Sequence, residues 1–312
     1  VSAVRRLAAS RLFWAAIAAL VVALALPIWV SGYILGLLTV GYFTAVFAMS
    51  WDLLFGFAGE VNFGPTFLIG LGAYTAGILN AQFSPDLPIW VCVAAGAGAA
   101  VTGGIALALP ALRVSGPYFG LITLVAVQIL QNFIIINSDL TGGEIGLTVP
   151  DVISIDARSN YFVALGFMIV AGGFLFGLSR SAIGLILQAS GQDAVQAGAL
   201  GFNVAKHKLF AFAVSAFFSG LSGALMVFYI GTASVGIFVD IAVGVQIIVA
   251  AVLGGRRTVL GAAIGAVFLI ALAEALRPVG ELANLIVSVV ALLVILGFPN
   301  GFLGLVRGGS EA

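Results

Sequence analysis

Gly56-Phe57-Ala58-Gly59-Glu60-Val61-Asn62-Phe63-Gly64-Pro65, running on into Thr66-Phe67-Leu68-Ile69-Gly70-Leu71-Gly72-Ala73-Tyr74-Thr75, separates this chain from a plain stack of apolar helices. A glycine-rich linker leads to Pro65, and proline suits the first helical turn because its missing N–H would be unpaired there and its φ is already helical. The helix that follows carries small residues on one side, which predicts close packing against other backbone. Glu60 and Asn62 stand just before it. A helix N-terminus offers amide donors to an anion such as a solute carboxylate, so Glu60, Asn62, Gly64 and Pro65 are candidate residues of a solute path, with Tyr74 further along the helix. The competing reading is a structural break with Glu60 in solvent.

The rest of the 312 residues set the context. They are 62% hydrophobic and 8% charged, with 41 glycines, whereas soluble domains carry about 25% charged residues and about 7% glycine. This is a membrane protein. Twelve basic and twelve acidic residues leave no net charge, hence no electrostatic footprint for nucleic acid. One cysteine, Cys92, and one histidine, His207, cannot build a disulfide, a Cys/His zinc site or a Cys/His nucleophile pair.

A membrane helix needs roughly 20 apolar residues. Ten stretches answer: Leu12 to Val30, Tyr33 to Phe55, Phe63 to Leu79, Ile89 to Leu109, Pro117 to Ile136, Tyr161 to Leu178, Leu209 to Ile230, Ile241 to Leu253, Val259 to Leu276 and Leu282 to Phe298. The third and eighth are short and border glycine-rich segments, a pattern of broken or re-entrant helices. Ten crossings place Arg5, Arg6, Arg11, Arg113, Arg180, Lys206, Lys208, Arg256, Arg257 and Arg307 on one side and only Arg158 and Arg277 on the other. Positive residues in short loops stay cytoplasmic, so both termini and the loop over 179–208 are expected inside. The first stretch is read as a retained helix rather than a signal peptide, since it lacks a small-x-small cleavage site. The expectation is therefore an all-α polytopic protein forming one transmembrane domain over 1–312, in the bacterial cytoplasmic membrane. An outside loop spans 137–160. Within the inside loop one amphipathic helix is expected from Ala182 to Leu200, stopped by Gly201.

No phosphate-binding loop, Gly-x-Ser-x-Gly or His-Glu-x-x-His is present, and these are the patterns that position catalytic groups in the common hydrolases. Glu274 is the carboxylate well inside an expected span, and Arg277, one turn on, can pair with it. Transport, not catalysis, is the remaining class. Its self-sufficient form is an ion-coupled secondary transporter or channel for a small polar solute, with Glu60, Asp52 or Glu274 as the coupling acid.

Further stretches interrupt the apolar pattern: Leu112-Arg113-Val114-Ser115-Gly116-Pro117-Tyr118-Phe119-Gly120, Thr141-Gly142-Gly143-Glu144-Ile145-Gly146-Leu147, and Gly201-Phe202-Asn203 followed by Lys208-Leu209-Phe210-Ala211-Phe212. Gly254-Gly255 with Thr258 and Gly261, then Phe298-Pro299-Asn300-Gly301, complete the series. Taken in order with the Gly59 to Thr75 block, they resemble the branched-chain amino acid ABC permeases of the LivM type, from about Tyr42 to Leu305. Where such permeases usually carry Gly-Gln and then Gly-His-Ala-Ala, this chain has Gly59-Glu60 and Gly64-Pro65-Thr66-Phe67.

The resemblance implies a permease subunit of an ABC importer for a small amino-acid-like solute. It would bind no cofactor itself, ATP being used by two cytoplasmic ATPase subunits. It also implies a second permease, homologous or identical, and a periplasmic or lipid-anchored solute-binding protein. The inside loop becomes the ATPase-coupling segment, with Gly184, Asp193, Ala197, Gly198 and Gly201 as its key residues. Gly116, Tyr118 and Thr123 join the candidate path, and Thr141, Gly142, Gly143 and Glu144 are candidates for docking the binding protein.

Overall fold

The computed structural model describes residues 18–83, 86–112 and 117–280, together with 282, 286, 289, 292 and 301. The helices in chain order are α1 (Ala18–Trp29), α2 (Gly32–Asp52), α3 (Pro65–Ile78), α4 (Ile89–Ala111), α5 (Pro117–Ile136), α6 (Ser138–Thr141), α7 (Ala157–Arg180), α8 (Ala182–Gln192), α9 (Ala194–Ala199), α10 (Val204–Ile230), α11 (Val235–Phe238), α12 (Ile241–Gly254) and α13 (Val259–Ala275). Strand β1 (Leu147–Thr148) pairs antiparallel with β2 (Thr232–Ala233), Leu147 opposite Ala233.

Among the described residues six helical stretches are long and apolar enough to cross a membrane: Gly32–Ala58, Ile89–Ala111, Tyr118–Ile136, Ala157–Arg180, Val204–Ile230 and Val235–Gly254. The chain is an all-α, multi-pass membrane protein. The first, third and ninth expected spans appear as the shorter helices α1, α3 and α13, and the tenth lies outside the described residues. Expectation and structure part at two places. The single helix Ala182 to Leu200 is two, because Asp193 is extended (φ −150°, ψ 103°) and its carboxylate accepts the amides of Val195 and Gln196 at 2.9 Å. A side chain that caps a new helix removes its residue from the old one. The eighth span begins earlier, as α11, and breaks at Val239–Asp240 before α12.

Helices α3, α4 and α10 form the centre, and glycine lets their backbones touch. A Cβ on Gly72 would sit 2.1 Å from the Gly220 carbonyl oxygen, one on Gly96 2.5 Å from the Gly72 oxygen, and one on Gly220 2.1 Å from Ala100 Cβ. Helices α12 and α13 meet in the same way, with Gly261 against the Gly254 carbonyl at 2.3 Å and Gly265 against Ala250 at 2.1 Å. Water is absent from the hydrocarbon, so helix association there rests on van der Waals contact and short approach rather than on hydrophobic burial. Gly72→Leu is therefore expected to destabilise the bundle by at least about 1–3 kcal/mol, seen as loss of the monodisperse peak in mild-detergent gel filtration. Gly98→Ala, where a Cβ meets nothing within 4 Å, should elute as the parent does. Equal profiles for the two variants would contradict this packing.

At one end of the bundle lie α8, α9, Lys208, Arg256 and Arg257; at the other lies the β1–β2 ladder. Asp156 caps α7 near the ladder end, accepting the Ser159 amide at 3.0 Å, and that hydrogen bond holds its carboxyl below the ordinary range.

Candidate functional site

The end of α2 is where the chain changes geometry. After Asp52 the helix widens into a π turn, Leu53–Ala58, that stops at Gly59 with φ 73°. Such turns inside α-helices are rare and concentrate at functional sites. Two neighbours hold this one from opposite sides. On one, a Cβ on Gly191 of α8 would lie 2.6 Å from the Phe57 carbonyl oxygen, and one on Gly59 would lie 2.8 Å from Gly191 Cα. The two backbones interlock with no side chain between them. On the other, the linker from α12 to α13 places Arg257 (φ 61°) so that its amide donates to Asp52 Oδ1 at 3.1 Å and its Nε to the Gly56 oxygen at 2.9 Å. Arg256 covers the Phe55 ring at 4.4 Å, and that ring stacks on Trp51.

Glu60 follows directly. Its Oε1 lies 2.5 Å from Lys208 Nζ near the start of α10, and the two side chains are 15% and 14% exposed. The junction is thus closed twice, by the Gly59–Gly191 contact and by an ion pair joining residues 148 apart in sequence.

The chain then enters α3. Trp51 Nε1 donates to the Asn62 carbonyl at 2.6 Å, Asn62 Oδ1 accepts the Gly64 amide at 2.8 Å, and Thr123 Oγ1 of α5 accepts the Phe63 amide at 3.0 Å. A Cβ on Gly64 would fall 2.1 Å from the Thr123 carbonyl oxygen. Asn62, Gly64, Pro65 and Thr123 therefore form one cluster. Thr123 and Asn62 take the amides of Phe63 and Gly64, which lead into the first turn of α3, and Glu60 faces a lysine. Tyr74 is buried two turns beyond, Tyr118 is 66% exposed on α5, and Gly116 lies outside the described residues.

In the α8–α9 segment, Gly184 packs at the turn from α7, where a Cβ would meet the Ser179 oxygen at 2.4 Å, and Ala197 is buried beneath α9. Asp193 caps α9. Gly198 and Gly201 are exposed, a Cβ on either would meet nothing within 4 Å, and Gly201, with φ 90°, donates its amide to the Gly198 oxygen at 2.9 Å. Val195 and Leu200 stand out from this face, exposed. Sequence reading missed Gly191, Lys208, Val195 and Leu200. A Gly-x-Asp spacing, Gly191 before the cap Asp193, was the available signal.

At the ladder end, Thr141 is buried and shapes the turn, donating to the Ile134 and Asn137 carbonyls while accepting the Gly143 amide. Gly142 and Gly143 hold positive φ, and Gly143 is buried, so only Glu144 and the neighbouring Ile145 project fully. Asn80, at the far end of α3, donates to Asp151 Oδ2 at 2.8 Å. One short helix, α3, thus links this loop to the α8 junction.

Each acid of the ion-coupled alternative has a protein partner, though the buried Asp52 Oδ2 has none among the described residues. Glu60 meets Lys208, Asp52 accepts the Arg257 amide, and Glu274 pairs with Arg277 at 3.4 Å and accepts the Tyr33 hydroxyl.

Residues 33–299 match a family described as branched-chain amino acid transport system / permease component. The high-affinity branched-chain amino acid transport system permease protein LivM of Escherichia coli (strain K12) is 25% identical over 320 residues, 93% of this chain and 75% of that protein. The corresponding permease BraD of Pseudomonas aeruginosa is 27% identical over 289 residues, 86% of this chain and 93% of its own. LivH of Escherichia coli (strain K12) is 25% identical over 294 residues, 85% and 92%. No solved structure matches.

Proposed function

The chain belongs to the family of branched-chain amino acid transport permease components, and from that premise we propose that it is the membrane subunit of an ABC importer for a small amino-acid-like solute. In this reading the α8–α9 end is cytoplasmic, with both termini, and receives two ATPase subunits. The ladder end faces the solute-binding protein, which meets Glu144 and Ile145. ATP binding and hydrolysis belong to the partner subunits, and this chain is not an enzyme.

The observation that carries the reading is the seating of Gly191 against the Gly59 backbone. A permease driven from outside needs a stiff contact that turns movement of a surface helix into movement of its spans. With no side chain between α8 and the π turn, displacement of α8 reaches α2 and α3 without loss in rotamer adjustment. The Glu60–Lys208 pair ties the same point to α10, and Asn80 carries α3 to the outer loop. A second permease chain is supported by α5, whose exposed face carries the amides of Gln128 and Asn132 between Val125 and Ile136. Amides facing hydrocarbon are unfavourable, and packing against another permease relieves them.

The test is a mild-detergent pull-down of the tagged protein from its native membrane, with mass spectrometry of what accompanies it. ABC ATPases and a second permease are expected, and the ATPases should be lost when residues 194–198 are replaced by a flexible Gly-Ser linker. A protein that purifies alone, or only with itself, would end the importer reading.

A further inference from the structure

Helix α3 sets Thr66 and Gly70 against the break between α11 and α12, and Tyr74 follows at the next i+4 position of that helix. A Cβ on Gly70 would lie 2.7 Å from Val239 Cγ2 and 3.4 Å from the Phe238 carbonyl oxygen, while one on Gly244 would lie 3.5 Å from Thr66 Oγ1. The break therefore crosses α3 between Gly70 and Thr66, with Thr66 Oγ1 against the first turn of α12. Gly77 of the same helix lies beside Ala233 of the ladder, and seven residues of helix put Gly70 about 10 Å deeper. The break is inside the span, away from its rim.

Three polar groups here have work outstanding. Thr66 is 0% exposed and Tyr74 4%, and neither hydroxyl has a hydrogen-bond partner among the described residues. Other span threonines behave differently: Thr39, Thr44 and Thr102 each donate back to the carbonyl four residues earlier. Thr66 is the second residue of α3, so no helical carbonyl stands four residues before it. Buried polar groups are almost always paired, so two unpaired hydroxyls on one face call for an occupant. The third group is Asp240, half-buried at the N-terminus of α12. It accepts the Ala242 amide at 2.9 Å through Oδ1, and no cation pairs with it among the described residues. A carboxylate inside a span costs at least about 2.5 kcal/mol, and broken helices within membranes are tolerated where they line a cavity.

We propose that the α11–α12 break and the Thr66–Tyr74 face of α3 form the solute site within this chain, with Asp240 receiving an ammonium group and the two hydroxyls receiving the solute's remaining polar atoms. This rests on the permease reading and narrows its cargo to solutes that carry a cationic amine; neutral amides and urea lack the group that Asp240 selects. It also moves the charge-recognising residue away from the start of α3.

The test needs no knowledge of the solute. In the assembled transporter in native membrane vesicles, Cys92→Ala removes the sole cysteine, and Thr66→Cys supplies a reporter. Its labelling rate is measured with a trimethylammonium and a sulfonate thiosulfonate, each divided by that reagent's rate with a free thiol in solution. Thr66→Cys should react with both, with a normalised preference of at least about tenfold for the cation, equivalent to about 1.4 kcal/mol. Asp240→Asn, which keeps a capping side chain and drops the charge, should erase that preference. Tyr74→Cys repeats the measurement from the other end of the face. Lack of labelling at both positions, with and without ATP and vanadate, would overturn the site, as would a cation preference that survives Asp240→Asn. Neither result touches the pull-down, which judges the importer reading separately.

Discussion

In the proposed importer, Gly191→Val in α8 is expected to lower ATP-driven solute uptake to below about a tenth of the parent without detaching the ATPases. A Cβ at this position meets the Phe57 oxygen at 2.6 Å, the Ala58 carbonyl carbon at 2.9 Å and the Gly59 nitrogen at 3.0 Å. All three are backbone atoms, so no rotamer change can relieve the clash, and α8 must lift from the π turn. Overpacking of this kind costs about 1–3 kcal/mol, the size of a typical coupling free energy between two sites. The consequence is idling: ATP hydrolysis continues, and its stimulation by the loaded binding protein disappears. Val195 and Leu200, exposed beside α9 where the proposal seats the ATPases, are untouched, so assembly should survive. Gly177→Ala, on a face where a Cβ meets nothing within 4 Å, should transport normally. Full uptake with stimulated hydrolysis in Gly191→Val would show that force does not pass through this contact.

The second large effect is expected at Glu60 and Lys208. Removing one member of a fully buried ion pair costs about 3–5 kcal/mol because the other charge is left uncompensated. With side chains 15% and 14% exposed, water screens part of this. Glu60→Ala and Lys208→Ala should each reduce solute uptake by the proposed importer about fivefold or more. The exchange Glu60→Lys with Lys208→Glu should recover much of the loss, and the double-mutant cycle should show coupling between the two sites. Additive losses with no recovery would mean that the pair adds nothing to the junction. The same variants separate the ion-coupled alternative, in which Glu60→Gln would abolish a pH-dependent uptake that ATP depletion leaves alone. Glu60→Gln keeps an acceptor for the Lys208 ammonium and is expected to be milder than Glu60→Ala.

Much of this junction could be read from local signals. Gly59, Glu60, Asn62, Gly64 and Pro65 stand out because glycine, proline and polar residues are rare in so apolar a chain, and Thr123 lies on a helix opened by its own Gly-Pro. Their mutual arrangement was not legible. Glu60 looked available to a solute or an ion because Lys208, its partner, is 148 residues away. Thr141 looked like a surface contact because Thr-Gly-Gly-Glu reads as an exposed turn, whereas its hydroxyl is consumed by the Ile134 and Asn137 carbonyls. Asp193 and Asp240 carried an ordinary N-cap signal. It was overridden by apolar periodicity at Ala182 to Leu200, whereas at Asp240 it agrees with the expected start at Ile241 and only the four-residue helix α11 before it went unseen.

Apolar run length is a property of short windows, and it suffices to predict an all-α membrane protein with interrupted helices and a surface segment between spans. Which backbone meets which glycine depends on the approach of helices distant in sequence. In hydrocarbon that approach is set by sub-ångström fit between small residues, not by a hydrophobic face that a pattern could reveal. The pairings Gly59 with Gly191, Glu60 with Lys208 and Thr66 with the first turn of α12 therefore emerge only once α2, α3, α8, α10 and α12 are packed together.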